Sequence, residues 1–134
     1  MSNILTVKDL NFSWGLTSVI KNISLSVKPN SLVSILGING AGKTTLLKCL
    51  NRILSPNSGE IKVLSEKLSD LELPEVAKLI SYVPQTVMSS FAMDVFDVVL
   101  LGRRPYINWS ISQNDRDKVS ETLRFLRFED FAFR

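Results

Sequence analysis

The sequence contains no histidine and only one cysteine, Cys49, among its 134 residues. Without histidine the chain cannot carry a Ser-His-Asp or Cys-His nucleophile, a histidine general base or a histidine metal ligand. A single cysteine excludes a disulfide framework within the chain and a thiolate metal site. It also fits a reducing, cytosolic compartment.

Long apolar runs are lacking as well. The most apolar window, residues 95–101, is interrupted by Asp97 and is far shorter than the roughly 20 residues that cross a bilayer. The first nine residues have neither a basic leader nor an apolar stretch of about seven residues. We therefore expect neither a membrane span nor a secretion signal.

The remaining composition is that of an ordinary globular protein, with 45% hydrophobic and 22% charged residues. The length suits one core rather than two domains of normal size. Charge is distributed unevenly along the chain. Residues 1–67 contain eight Lys and Arg and three Asp and Glu, whereas residues 68–134 contain eight Lys and Arg and ten Asp and Glu. The basic first half indicates either an anionic ligand or a solvated positive face. A net charge of +3 without a basic stripe interleaved with aromatics argues against a nucleic-acid partner.

Strand-like and helix-like patterns alternate in the first half. Residues 22–27 alternate polar and apolar side chains, and residues 6–12 do so more loosely, which predicts strands with one buried face. Residues 32–36 form a short apolar run typical of a strand buried on both faces, and this run leads into a glycine cluster. A helix is then predicted up to the segment between Pro56 and Gly59. Its apolar positions are Leu46, Leu50, Ile53 and Leu54.

After further strand-like segments, the second half is predicted to be mostly helical from Asp94 onward. Residues 60–64 and 80–83 are strand-like, and Pro74 suits the first position of a short helix. Ser112 and Asp115 resemble a capping box that opens a longer helix. One face of that helix carries Val119, Leu123 and Leu126, and the other carries Lys118, Glu121 and Arg124. This order predicts an α/β core followed by a helical segment.

The pattern that carries chemistry is residues 37–44, Gly-Ile-Asn-Gly-Ala-Gly-Lys-Thr. It matches a glycine, four residues and Gly-Lys-Ser/Thr between a predicted strand and a helix. Glycines let main-chain amides converge on phosphate oxygens, and the helix that follows adds the positive end of its dipole. Lys43 would place a charge on the β- and γ-phosphates, and Thr44 a hydroxyl on Mg²⁺. The segment therefore predicts a site for a nucleoside triphosphate, whereas a simple glycine-rich turn would leave Lys43 unexplained.

From Gly37 to Leu47 the sequence closely resembles the Walker A loop of ABC transporter ATPase subunits, in which Asn-Gly-(Ala/Ser)-Gly followed by Thr-Leu-Leu is typical. The resemblance implies an α/β P-loop NTPase fold of the ABC ATPase type. In it, residues 1–90 would form an antiparallel β subdomain with an incomplete parallel Walker A and Q-loop core, and residues 91–134 the start of a helical subdomain. The implied contacts to ATP are Gly37, Asn39, Gly40, Ala41, Gly42, Lys43, Thr44 and Thr45.

Two other segments resemble the same family. Residues 10–15 are similar to the segment whose aromatic residue stacks on adenine, which implies that role for Trp14, with packing on the core as the alternative. Residues 82–85, Tyr-Val-Pro-Gln, resemble the Q-loop. This implies that Gln85 reaches Mg²⁺ and the attacking water, a task that suits a neutral amide. On sequence alone Gln85 is equally well an ordinary polar loop residue.

Residues 101–106, Leu-Gly-Arg-Arg-Pro-Tyr, are similar to the branch of this family that imports iron siderophores, haem and cobalamin. The resemblance implies a peripheral subunit on the inner face of the cell membrane. Its implied partners are a membrane-spanning permease, a second copy of the ATPase subunit and, indirectly, an extracellular substrate-binding protein. From the residues alone, a solvated basic turn explains Arg103 and Arg104 as well as a specific contact does.

Three catalytic elements of the family are absent from the sequence, namely the Leu-Ser-Gly-Gly-Gln signature loop, a Walker B strand ending in Asp-Glu and the switch histidine. Phosphoryl transfer depends on positioned charges and a placed water, so we expect negligible ATP hydrolysis by this chain alone. A nucleotide-binding chain without catalysis is thus the alternative function. Another P-loop enzyme, such as a GTPase or a small-molecule kinase, is less well supported. An Asn-Lys-x-Asp segment that would read guanine is absent, and the second half offers nothing specific to a kinase. We also expect the strand before Gly37 to be left with an exposed edge.

Overall fold

The computed structural model describes residues 2–86 and 93–134. They fall into two compact units, Met1–Tyr82 and Val83–Arg134. The boundary predicted between residues 90 and 91 touches positions outside the described residues and stays a prediction. Within the described part of the chain, no helix is long and apolar enough to cross a membrane.

The first unit is built on a four-stranded antiparallel sheet in the order β2-β1-β3-β4. Its strands are β1 (Leu5–Trp14), β2 (Thr17–Val27), β3 (Ser58–Val63) and β4 (Glu66–Lys67). The hairpin of β1 and β2 is joined by two residues, Gly15 and Leu16. This sheet confirms the predicted antiparallel β subdomain.

Apolar side chains of β1 and β3 form the buried face of the sheet. Val7, Leu10 and Phe12 of β1 point into the core, and Ile61 and Val63 of β3 join them. The helix α1 (Lys43–Leu50) covers this face with Leu46, Cys49 and Leu50. Burial raises the pKa of the Cys49 thiol, so this residue behaves as a small apolar side chain.

Three neighbouring strands bend at adjacent positions. Asp9, Asn22 and Gly59 have φ values of 48°, 49° and 99°, in the left-handed region. The ladder between β1 and β3 is interrupted there, between Lys8 and Asn11. Asp and Asn tolerate this conformation better than other side chains do. Gly59 is required for a second reason, because a Cβ there would lie 2.6 Å from the carbonyl oxygen of Asp9.

Helix α1 ends at Leu50, well before the predicted stop at Pro56. The chain turns at Arg52, whose φ is 55°, and the N–H groups of Ile53 and Leu54 both donate to the carbonyl of Lys48. These bonds satisfy a carbonyl at the helix end, so the helix stops without proline. Ile53 is consequently 54% exposed rather than part of the predicted apolar face.

The strands predicted at residues 32–36 and 80–83 are wrong, because neither segment is a strand. Leu32 and Leu36 are 97% and 90% exposed. A parallel strand needs a neighbour on its edge, and none of the described residues pairs with either segment. The incomplete parallel core is therefore an unpaired stretch of chain leading into the glycine cluster.

The described residues of the two units contain three more α-helices. The first unit ends with α2 (Leu73–Leu79), the predicted short helix, in which Pro74 is the second residue rather than the first. The second unit contains α3 (Val95–Leu101) and α4 (Gln113–Leu126). The capping box is confirmed, since Asp115 N–H donates to Ser112 Oγ at 3.2 Å and Ser112 N–H donates to Asp115 Oδ2 at 3.1 Å. Val119 and Leu123 are buried as expected, but Leu126 at the helix end is 51% exposed.

Candidate functional site

The glycine loop between residues 37 and 42 uses two left-handed residues. Gly40 and Gly42 have φ values of 83° and 88°, a conformation that L side chains rarely adopt. The N–H of Ala41 donates to the carbonyl of Ile38 at 3.3 Å. At Gly42, which directly precedes α1, a Cβ would also lie 2.9 Å from Cγ1 of Val19 on β2. The last residue of the loop, Gly42, thus packs against β2, at a position that only glycine fits.

Lys43 is the first residue of α1, and its side chain folds back over the loop. Its Nζ donates to the carbonyl oxygens of Gly37 at 2.8 Å and Ile38 at 2.7 Å. An ammonium group has three N–H donors, so these two bonds leave capacity for an anion. The two carbonyls hold the positive charge at the start of the loop.

The first turn of α1 supplies further donors. Lys43, Thr44 and Thr45 occupy its first three positions, where main-chain N–H groups have no acceptor within the helix. The turn contains no acidic residue, so the positive end of the helix dipole is not neutralised within it. Thr44, Asn39 and Ala41 are exposed. This donor set, with the Lys43 ammonium beside it, suits a polyphosphate.

Trp14 closes β1 and is only partly packed. Its ring meets the ring of Phe12 edge to face, with centroids 5.1 Å apart and planes at 83°. The side chain is still 55% exposed. Part of the Trp14 ring thus packs on the core, and the rest of its surface is accessible to a flat ligand.

The sequence model of the ABC transporter family matches residues 20–134, which include the glycine loop and α1. The chain belongs to the ABC transporter family. Its sheet, loop and helices confirm the ABC ATPase fold that the sequence predicts.

Individual relatives of this ABC transporter chain agree with that assignment. An uncharacterized ABC transporter ATP-binding protein of Methanocaldococcus jannaschii is 44% identical over 131 residues, which cover 98% of this chain and 51% of that protein. A probable iron chelatin transport ATP-binding protein of Helicobacter pylori is 42% identical over 106 residues, which cover 78% of this chain and 42% of that protein. The chain spans about half the length of the curated relatives it matches.

Solved structures show the same fold. A metal-chelate type ABC transporter in an inward-facing conformation superposes with a TM-score of 0.74 at 28% identity, covering 99% of this chain and 49% of that chain. A nucleotide-free ATP-binding cassette reaches a TM-score of 0.84, covering 99% of this chain and 57% of that chain. At 22% identity, the second likeness shows the fold alone.

Gln85 belongs to the other compact unit of the ABC transporter chain. It is exposed and lies at a bend that follows Pro84. Its role at Mg²⁺ stays a prediction.

Arg103 makes a specific contact that sequence reasoning left open. Its Nε and Nη2 both lie 3.1 Å from Oδ1 of Asp115, and its guanidinium carbon lies 4.3 Å from the ring centre of Tyr106. The Ser112 hydroxyl and main-chain N–H, followed by the Arg103 guanidinium, lower the pKa of the Asp115 carboxyl. Arg103 therefore joins the turn after α3 to the start of α4, while Arg104 is exposed. The capping box pointed to Asp115 but gave no signal for its more distant partner.

Proposed function

We propose that this chain binds ATP with Mg²⁺ as the Walker A half of a nucleotide site in an ABC importer ATPase subunit. The observation that carries the proposal is the left-handed glycine pair directly before α1, with the Lys43 ammonium held across the loop. A loop of this shape aims main-chain N–H groups at one place and adds a fixed charge to them.

Each residue has a separate task in this proposal. The main chain of residues 37–45 holds the triphosphate, including the amides of Asn39 and Thr45 and that of Ala41, whose N–H would exchange the carbonyl of Ile38 at 3.3 Å for a phosphate oxygen. Lys43 neutralises the β- and γ-phosphates, and Trp14 stacks on adenine. Thr44 and Gln85 hold Mg²⁺, and Gln85 also orients the attacking water. Mg²⁺, when bound, neutralises charge that develops on the phosphate oxygens.

The proposal extends to transport of an iron chelate or a corrinoid across the cytoplasmic membrane. Relatives support the iron chelate, since one is named for iron chelatin transport and another, from Thermobifida fusca, for hemin import. The second relative is 33% identical over 90% of this chain and 42% of that protein. Such a subunit would lie on the inner face of the membrane, pair with a second ATPase subunit and a permease, and serve a substrate-binding protein indirectly.

A nucleotide-binding chain without hydrolysis is the alternative function. The sequence lacks the signature loop, the Walker B carboxylates and the switch histidine, so bound ATP would lack the carboxylate that places the water in the family. We expect the chain alone to bind ATP and to release phosphate at a rate close to that of buffer. Appreciable turnover in a phosphate-release assay would contradict this expectation.

Calorimetric titration with MgATP tests the nucleotide site itself. Lys43→Ala is expected to weaken binding by about ten- to a hundredfold, because hydrogen bonds to charged groups contribute about 1.5–3 kcal/mol. Lys48→Ala is the matched control, since Lys48 lies in the last turn of the same helix. Equal losses in the two variants, or none in either, would contradict the proposed role of Lys43.

A further inference from the structure

Strand β1, which carries Trp14, extends beyond the end of its neighbour β3. β3 stops pairing with β1 where Ser58 faces Asn11, three residues before Trp14. The main-chain N–H of Asn57 still donates to the carbonyl of Asn11 at 2.9 Å. Beyond this bond, the edge of β1 that faces β3 has no strand beside it among the described residues.

The side chain of Asn57 occupies that edge. Its Oδ1 accepts a hydrogen bond from the main-chain N–H of Ser13 at 2.6 Å. The carbonyl of Asn11 and the N–H of Ser13 face the same neighbour, because alternate residues of a strand point to the same side. The amide of Asn57 thus takes the place of the next residue of β3 and satisfies a donor immediately before Trp14.

We infer that Asn57 is a positioning residue for the ring of Trp14, and through it for the adenine of the nucleotide. The inference rests on the proposed function, in which Trp14 stacks on adenine. The ring touches Phe12 only edge to face and is 55% exposed. Its direction therefore depends on the main chain at Ser13, which Asn57 holds.

The same contact relates the ring to the phosphate loop. Asn57 lies in the connection that follows α1, and the neighbouring Ser58 Oγ accepts a hydrogen bond from Asn11 Nδ2 at 3.1 Å. On the other strand of the hairpin, Val19 packs against Gly42 directly before α1. The hairpin thus contacts Gly42 directly before α1 and Asn57 in the connection between α1 and β3. Both contacts link the hairpin that carries Trp14 to segments that flank the helix of Lys43.

A side-by-side titration with ATP and inorganic tripolyphosphate separates positioning from general damage. Lys43 bonds to Gly37 and Ile38 and not to Asn57, so phosphate binding should not depend on Asn57. Asn57→Leu removes the acceptor at similar size, and Asn57→Asp keeps an oxygen at the same place. Asn114→Leu makes the same chemical change at an exposed site on α4 and serves as control.

The ring itself is followed by fluorescence. The chain has two tryptophans, and Trp109 is fully exposed in the second unit, so all variants carry Trp109→Phe and leave Trp14 as the only reporter. In the absence of ligand, Asn57→Leu should increase acrylamide quenching of Trp14, while Asn57→Asp and Asn114→Leu should match the parent.

Because one hydrogen bond is lost, we expect Asn57→Leu to weaken ATP binding by about two- to tenfold. Tripolyphosphate binding should be unchanged. Unchanged ATP affinity, or equal losses for ATP and tripolyphosphate, would overturn the inference. If the parent binds neither ATP nor tripolyphosphate, the proposed function is wrong, and so is the proposed stacking of Trp14 on adenine. The quenching data then show separately whether Asn57 holds the ring, and unchanged quenching overturns that step as well.

Discussion

Strand β2 and residues 32–36 both have apolar patterns that predict strands, but only β2 forms one. β2 follows β1 after two residues and pairs with it from Thr17 to Val27. Residues 32–36 pair with none of the described residues, and Leu32 and Leu36 are almost fully exposed. An apolar pattern becomes a strand only where a neighbouring edge is supplied. A hairpin supplies that edge locally, whereas a parallel strand needs a crossover partner from far along the chain.

The candidate site lies between these two regions. On one side, Gly42 is packed against Val19 of β2, and α1 is anchored in the core by Leu46 and Leu50. On the other side, the loop follows residues 32–36, of which Leu32 and Leu36 are exposed and Ile35 is partly buried against the core. The last residue of the loop is therefore held by the sheet and by α1.

Gly59→Ala alters the sheet at a close contact between β3 and β1 and should have the largest effect on stability. The substitution places a Cβ 2.6 Å from the carbonyl of Asp9 at a φ of 99°, so something must shift. We expect a loss of about 3 kcal/mol or more in the free energy of unfolding. Urea denaturation followed by circular dichroism measures it.

Gly15→Ala is the matched control for this substitution. Gly15 also has a positive φ, of 56°, but a Cβ there would meet nothing within 4 Å. Only the conformational cost of about 1–2 kcal/mol should remain. Equal losses at Gly15 and Gly59 would show that the close approach of β3 to β1 does not constrain the sheet.

A second pair of variants compares the two regions directly. Leu10 is fully buried in β1, whereas Leu36 is 90% exposed. Leu10→Ala should cost about 2–5 kcal/mol, and Leu36→Ala should stay within about 0.5 kcal/mol of the parent. A large loss for Leu36→Ala in the same denaturation experiment would mean that the side chain of Leu36 is packed after all.

The smallest expected effect concerns the exposed face of the sheet. The ammonium groups of Lys62 and Lys67, at 2.8 and 2.9 Å, hold the pKa of Glu60 at about 2, below its ordinary value of 4.5. Its stabilising contribution is therefore complete above pH 4.5 and is lost as the pH falls through 2. Above pH 4.5 the free energy of unfolding of the parent should be slightly larger than that of Glu60→Gln. The two values should converge near pH 2.

Salt provides the control for Glu60. The ion pairs lie at the surface, so added salt should shrink the difference between parent and variant. A difference that persists in high salt, or that grows as the pH falls, would contradict this assignment.

The parts of the molecule that sequence could predict are those encoded by neighbouring residues. The glycines before Lys43, the alternation in β2 and the Ser112 capping box are local patterns, and each is found where it was expected. The early end of α1 at Leu50 escaped prediction because the turn at Arg52 carries no Gly or Pro.

Contacts between distant residues gave no such signal. Asn57 and Ser13 are 44 positions apart, and Arg103 and Asp115 are 12 apart. Neither pair belongs to a short motif, so only the folded chain brings them together. For the same reason the exposure of Leu36 depends on partners that its own pattern cannot reveal.

The phosphate role of the glycine loop can be tested by recording amide chemical shifts while the chain is titrated with magnesium tripolyphosphate. We expect the largest shift changes at the N–H groups of Gly40, Gly42, Lys43 and Thr44, since these amides would face the phosphates. If these four resonances do not move, in a chain whose spectrum shows it to be folded, the loop does not bind phosphate.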